Sequence, residues 1–97
     1  MDEYFKLNGI SFVWDQAKAR TNHAKHGIAF EQAVEAFFDP FLRVVDASPD
    51  DETRAAIIGM DKHWNLLFVV HVDIKADRIR IVSARGATRT ERQFYED

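Results

Sequence analysis

The chain has 97 residues, 46% of them hydrophobic and 30% charged, which fits one domain folded around its own core and argues against disorder. It has no cysteine, which excludes a disulfide framework, a cysteine-based zinc site and a cysteine nucleophile, and fits a reducing compartment. The net charge of −3 is unevenly spread: residues 1–53 hold five Lys/Arg against ten Asp/Glu, and residues 54–97 hold eight against six. A global field that draws in nucleic acid is therefore not expected, while a local basic patch remains possible because each charge acts over about 8–10 Å.

The opening "MDEYFK" lacks the basic start and apolar middle of a signal peptide, and the longest apolar run, Leu66 to Val70, is far too short to span a bilayer. A cytoplasmic location without membrane contact is expected. "GISFVWD" alternates Ile10, Phe12 and Trp14 with Ser11 and Val13, as a short strand does. Asp15 can N-cap "QAKARTNHAKH", and Gly27 can close it. Alanine dominates the apolar positions of this helix, so it is expected at the edge of the domain with few contacts. His26 falls at its C-terminus beside Lys25. There the helix dipole favours a protonated imidazole, which suits either acid–base work or simple capping.

Phe30, Ala33, Val34, Phe37 and Phe38 form one apolar helical stripe and belong in the core. Asp39-Pro40 ends that helix, because a residue before proline is pushed out of the α region. Four strands should follow: "FLRVVDA", "RAAIIGM", "LLFVVHV" and "RIRIVSAR". The third is continuous and should be central, and the last three are spaced as an antiparallel meander. Thr88 and Glu91 form a capping box that opens "RTERQFYED". That helix is short, so Phe94 and Tyr95 must dock it. The expected fold is α+β in the order β-α-α-β-β-β-β-α, an antiparallel sheet packed against helices.

The segment Arg78–Tyr95 holds five arginines in eighteen residues. Strand alternation puts Ile79, Ile81, Ser83 and Arg85 on the core face, with Arg78, Arg80, Val82 and Ala84 opposite. Arg89 and Arg92 stand in the first helical turn, against the macrodipole, at a cost of a few tenths to roughly 1 kcal/mol unless an anion answers them. Arginine suits two-point phosphate contact. From charge alone the commoner reading is a solvated face paired with Asp61, Asp73, Asp77 and Glu91. No metal site is expected: His23 and His26 are three apart without a third ligand, and His63 and His71 lie on other elements. Ser83 has no glycine-rich elbow around it, and no Walker loop or GxGxxG is present, so no cofactor is expected.

The pieces "FVWDQAKARTNHAKHGIAFEQAVEAFFDP", "DETR", "IIG", "LLFVVH" and "RIRIVSARGATRTERQFYE" together resemble the BrnT-type toxins of bacterial type II toxin–antitoxin systems, over about residues 10–96. The combination of W-D, K-H-G, E-x-R and I-R-I-V-S-A-R with a later E-R and Y carries the resemblance. It implies a RelE-like fold, ribonuclease activity that arrests translation, and neutralisation by a BrnA-type antitoxin. That partner, a ribbon-helix-helix protein, would supply the DNA contact, and the complex would repress its own operon. The family's polar positions fall on Lys25, His26, Glu52, Arg54, Arg80, Arg85, Arg92 and Tyr95, and Gly86 stands where a lysine is usual. The implied chemistry is a metal-independent endoribonuclease, with His26 or Glu52 as base for the substrate's 2′-hydroxyl. Arg54, Arg80 and Arg85 would stabilise phosphate charge, and His26, Lys25 or Tyr95 would assist the leaving oxygen. Arg78, Arg89, Arg92 and Tyr95 would hold RNA. The alternative is a non-catalytic module that holds an antitoxin on DNA, using the same arginines against acidic partner residues.

Overall fold

The computed structural model describes residues 1–47, 54–75 and 77–97. It begins with a strand absent from the expected order. β1 (Asp2–Leu7) turns through Asn8-Gly9 into β2 (Ile10–Asp15) and pairs with it antiparallel. Both turn residues have positive φ, 52° and 83°. A two-residue Asn-Gly turn of this kind matches the twist of paired strands and is the strongest short hairpin signal a sequence carries.

α1 (Gln16–His26) and α2 (Phe30–Ala36) follow. Asp15 caps α1 as expected, its Oδ2 accepting from the Lys18 N–H at 3.0 Å. α2 is shorter than its stripe. Phe37 and Phe38 continue it as tightened turns, their N–H groups bonded to the Val34 and Glu35 carbonyls, and both rings still pack on Phe12. The remaining elements are β3 (Arg43–Asp46), β4 (Arg54–Met60), β5 (Leu66–Lys75), β6 (Arg78–Gly86) and α3 (Arg89–Glu96).

The six strands among the described residues form one sheet in the order β1-β2-β6-β5-β4-β3. The meander β4-β5-β6 is antiparallel, with β5 central. The sheet as a whole is mixed, because β2 and β6 pair in parallel through Ser11–Arg78, Phe12–Ile79 and Val13–Arg80. This corrects the expected purely antiparallel sheet. The two helices carry the chain from β2 to the far edge at β3, and three successive antiparallel pairings lead back to β2. Strand direction at that junction is set by the crossover, not by any local pattern.

The core lies between one sheet face and α2. Phe30, Ala33, Val34 and Ala36 meet Phe12, Trp14, Ile57, Leu67, Val69, Ile81 and Ala84, all buried. Trp14 stands edge-on to Phe30 with ring centroids 5.7 Å apart. Burying each such ring contributes about 1.5–3 kcal/mol. The approach of helix to sheet is closest at Gly59, where an added Cβ would lie 2.5 Å from the Ala36 carbonyl oxygen. No helix among the described residues is long and apolar enough to cross a membrane.

One irregularity decides which side chains share a face. Val70 pairs with Ser83, but His71 pairs with Ile81. Val82 is therefore an extra residue in β6, a β-bulge that shifts the alternation by one. Ile81 and Ala84 are both buried against the helices, and Ser83 and Arg85 move to the opposite face, beside Arg78 and Arg80. Simple alternation places Arg85 with Ile81; the bulge reverses that.

Candidate nucleic-acid interface

The sheet face opposite α2 can be followed from the registers. One row runs Arg43–Ile58–Phe68–Arg85 across β3 to β6. The next runs Val45–Ala56–Val70–Ser83, and a third runs Arg54–Val72–Arg80–Val13 into β2. Two rows carrying arginines thus flank a middle row that is mainly apolar. Arg54 and Arg80, from different strands, lie in one row, and Arg85 lies on the same face because of the bulge.

α3 crosses the first row. Its capping box is complete: Thr88 Oγ1 accepts from the Glu91 N–H at 3.2 Å, and Glu91 Oε1 accepts from the Thr88 N–H at 2.9 Å. The Glu91 carboxylate also takes both guanidinium nitrogens of Arg85, each at 2.8 Å. Arg85 stacks over the Phe68 ring, 4.3 Å from its centroid, a geometry that favours a cation. The Arg85 guanidinium holds the Glu91 carboxyl below its ordinary range. At the other end, Arg43 lies 5.5 Å from the Phe94 centroid and donates to the Asp97 carbonyl at 2.6 Å. Tyr95 donates its hydroxyl to Asp39 Oδ2. Burial, with Asp39 beside it, pushes the Tyr95 phenol up to about 12. Against the burial that raises it, Asp39 is held low by that hydroxyl and by the Met60 and Phe41 N–H groups. The structure therefore places Tyr95 in the docking of α3, as it does Phe94.

Arg80 is engaged from the other terminus. Its Nη2 and Nη1 donate to Asp2 Oδ2 and Oδ1 at 2.8 and 3.3 Å. This contact lowers the Asp2 carboxyl and raises Arg80. Of the carboxylates expected to pair with the arginine run, Glu91 does so. Asp61 instead is buried and holds its own loop, accepting from the Gln32 amide, the His63 and Asn65 N–H groups and the Asn65 amide.

Lys25 and His26, both exposed at the end of α1, line a recess with Lys18, Thr21, Val82 and Ser83. α1 is fixed there by a residue that helical periodicity does not reveal. Asn22 is 7% exposed, accepts from the Ala84 N–H at 3.0 Å, and donates to the carbonyls of Ala84 and Ile28 at 2.8 and 3.1 Å. β2 pairs with β6 only as far as Arg80. Beyond it, the Asn22 amide does for Ala84 what a neighbouring strand would do. Val82, the extra residue that turns Arg85 over, lines the same recess as Lys25 and His26.

Arg78 opens β6 on the arginine-bearing face, and Arg89 is exposed at the start of α3. Arg92 lies 3.8 Å from Glu96 at i, i+4. Glu52 is outside the described residues. Among the described residues no three His, Asp or Glu side chains are grouped to hold a metal ion. Asp2, Asn22, Arg43 and Phe68 are the residues sequence reasoning missed. The Asn8-Gly9 signal was available for the first; periodicity held none for the rest.

Fold and side-chain placement define a small α+β protein that carries guanidinium groups from three strands, β3, β4 and β6, on one sheet face. The family model for the ribonuclease toxin BrnT of type II toxin–antitoxin systems matches residues 14–91, and the chain belongs to that family. The crystal structure of the Brucella abortus ribonuclease toxin BrnT is similar, with a TM-score of 0.57 and 25% identity, covering 78% of this chain and 94% of that one. No curated protein sequence matches. Membership of a type II toxin family implies an antitoxin partner.

Proposed function

We propose that this chain is a metal-independent endoribonuclease, RelE-like in its arrangement, that cleaves RNA on the sheet face carrying Arg54, Arg80 and Arg85 and so inhibits translation. The observation that supports this most is the bulge at Val82, by which Arg80 and Arg85 share one face, while Val82 and Ser83 line a recess with Lys25 and His26. The substrate's own 2′-hydroxyl, its proton taken by His26 or Glu52, attacks the adjacent phosphorus. The bond to the 5′-oxygen breaks, and that oxygen takes a proton from Lys25 or His26. The products are a 2′,3′-cyclic phosphate and a 5′-hydroxyl. Guanidinium groups fixed before the reaction stabilise the extra charge on the phosphorane, where preorganised cations contribute most. With its hydroxyl committed to Asp39 and its acidity weakened, Tyr95 supports the site by docking α3. Arg78, Arg89 and Arg92 hold flanking phosphates.

The proposed partner is a BrnA-type ribbon-helix-helix antitoxin that contacts DNA itself, and the proposed place of action is the cytoplasm. The test is cleavage of a labelled RNA by the purified chain in EDTA, with the product ends analysed. Cyclic phosphate ends, and a loss of about a hundredfold or more in an Arg80→Ala, Arg85→Ala double variant, are expected. Magnesium-dependent cleavage leaving 5′-phosphates contradicts the mechanism. A folded chain that cuts no RNA yet binds its antitoxin is the non-catalytic module instead.

A further inference from the structure

The two-point edge of Arg80 is occupied in the free chain. Asp2 meets it with both carboxylate oxygens, at 2.8 and 3.3 Å, in the geometry that phosphate uses on arginine. Both side chains are a little over one-third exposed, 36% for Arg80 and 37% for Asp2. Such an exposed pair is screened by solvent and weak enough for another anion to displace. Asp2 lies on β1, directly across from Asp15. Asp15 is itself engaged by the Lys18 N–H and by the chain's terminal amine at 3.1 Å, so Asp2 is the carboxylate seated on Arg80. The family match begins at residue 14, so the strand that carries Asp2 lies outside it.

Glu91 on Arg85 differs in kind. It is tied into the capping box, and its Arg85 partner is stacked on Phe68. Among the described residues no such framework holds Asp2.

We propose that Asp2 is an intramolecular counter-anion that competes with RNA phosphate for Arg80 and thereby sets how tightly this face takes RNA. The inference rests on the RNA-binding reading above. To grip a phosphate, Arg80 must release Asp2, and the displaced carboxylate then stands beside a like charge. Asp2→Asn removes the charge and keeps the shape. A residue that merely aligned Arg80 would give the opposite sign, since losing it would weaken binding.

The experiment is fluorescence anisotropy with a labelled single-stranded 2′-O-methyl RNA, which cannot be cleaved through its 2′-oxygen. It compares the full-length wild type with Asp2→Asn, Asp2→Ala, Arg80→Ala and the Asp2→Asn, Arg80→Ala double variant. Asp2→Asn should tighten Kd by roughly two- to fivefold. Asp2→Ala should shift it in the same direction, and Asp2→Asn should have no effect once Arg80 is gone. Unchanged or weaker binding in both Asp2 variants, with Arg80→Ala still weakening it, overturns the counter-anion role alone. No RNA binding by any variant overturns the RNA-binding reading with it.

Discussion

Arg80 and Arg85 stand on one face of one strand, and a carboxylate grips each by two points, yet the two contacts come from opposite ends of the chain. Glu91 reaches Arg85 from α3, six residues on, where the same side chain also caps the helix. Asp2 reaches Arg80 from β1, 78 residues away in sequence, with both side chains more exposed than Glu91. The difference teaches that identical hydrogen-bond geometry can serve two purposes. One contact is part of the architecture, because several other contacts depend on it. The other is a surface pair that a stronger anion can replace.

Asn22 holds β6 between the two arginines, and its loss is the severest way to break the comparison. Asn22→Leu would leave the buried N–H and C=O of Ala84 unpaired, at about 2–4 kcal/mol. Thermal melting should show a fall on the order of 10–20 °C, with the face of β6 disordered around both arginines.

Glu91→Ala comes next. It removes one half of the capping box and the partner of Arg85, and about 1–2 kcal/mol of stability should go with it. Amide exchange in α3 should accelerate well before that in β5. Asp2→Asn, by contrast, should move the melting temperature less than any other change named here while altering RNA affinity. If Asp2→Asn destabilised the fold as much as Glu91→Ala, the distinction between the two contacts would fail.

A pH effect separates the arginine face from the core beneath it. His71 lies on the core side, 6% exposed and edge-on to Phe37 at 5.0 Å, with no hydrogen-bond partner for its Nδ1 among the described residues. Burial lowers its pKa, against the opposing pull of Asp73. The folded state thus prefers neutral imidazole. Its contribution to stability is present above the unfolded value of about 6.5 and declines as pH falls below it. Melting temperature should therefore drop between pH 7.5 and 5.5, and the slope should flatten in His71→Phe. An unchanged slope would mean that other groups control the acid response.

The apolar stripe of α2, the β4-β5-β6 meander and the capping box of α3 were legible in the sequence because each has a local period or spacing. β1 was legible in principle through Asn8-Gly9, although only Phe5 and Leu7 alternate on its core side and its first three residues are exposed. The parallel pairing of β2 with β6 had no local signal, since a crossover sets it. The bulge at Val82 had none either: every residue of "RIRIVSAR" fits unbroken alternation, and only the pairing with β5 shows where the phase slips. The arginines of the candidate face were therefore visible one by one, but their common orientation was not. Asn22 was hidden for a related reason, as one polar residue among many in a helix without a marked apolar side.

The most direct test of the central claim is an NMR titration of the isotope-labelled chain with the same 2′-O-methyl RNA, following arginine Nε–H and backbone signals. The account predicts that the largest shifts fall on Arg54, Arg80, Ser83 and Arg85, with Lys25 and His26 at their margin. Shifts confined to α2 and the loop around Trp64, with the arginine face unmoved, would contradict it.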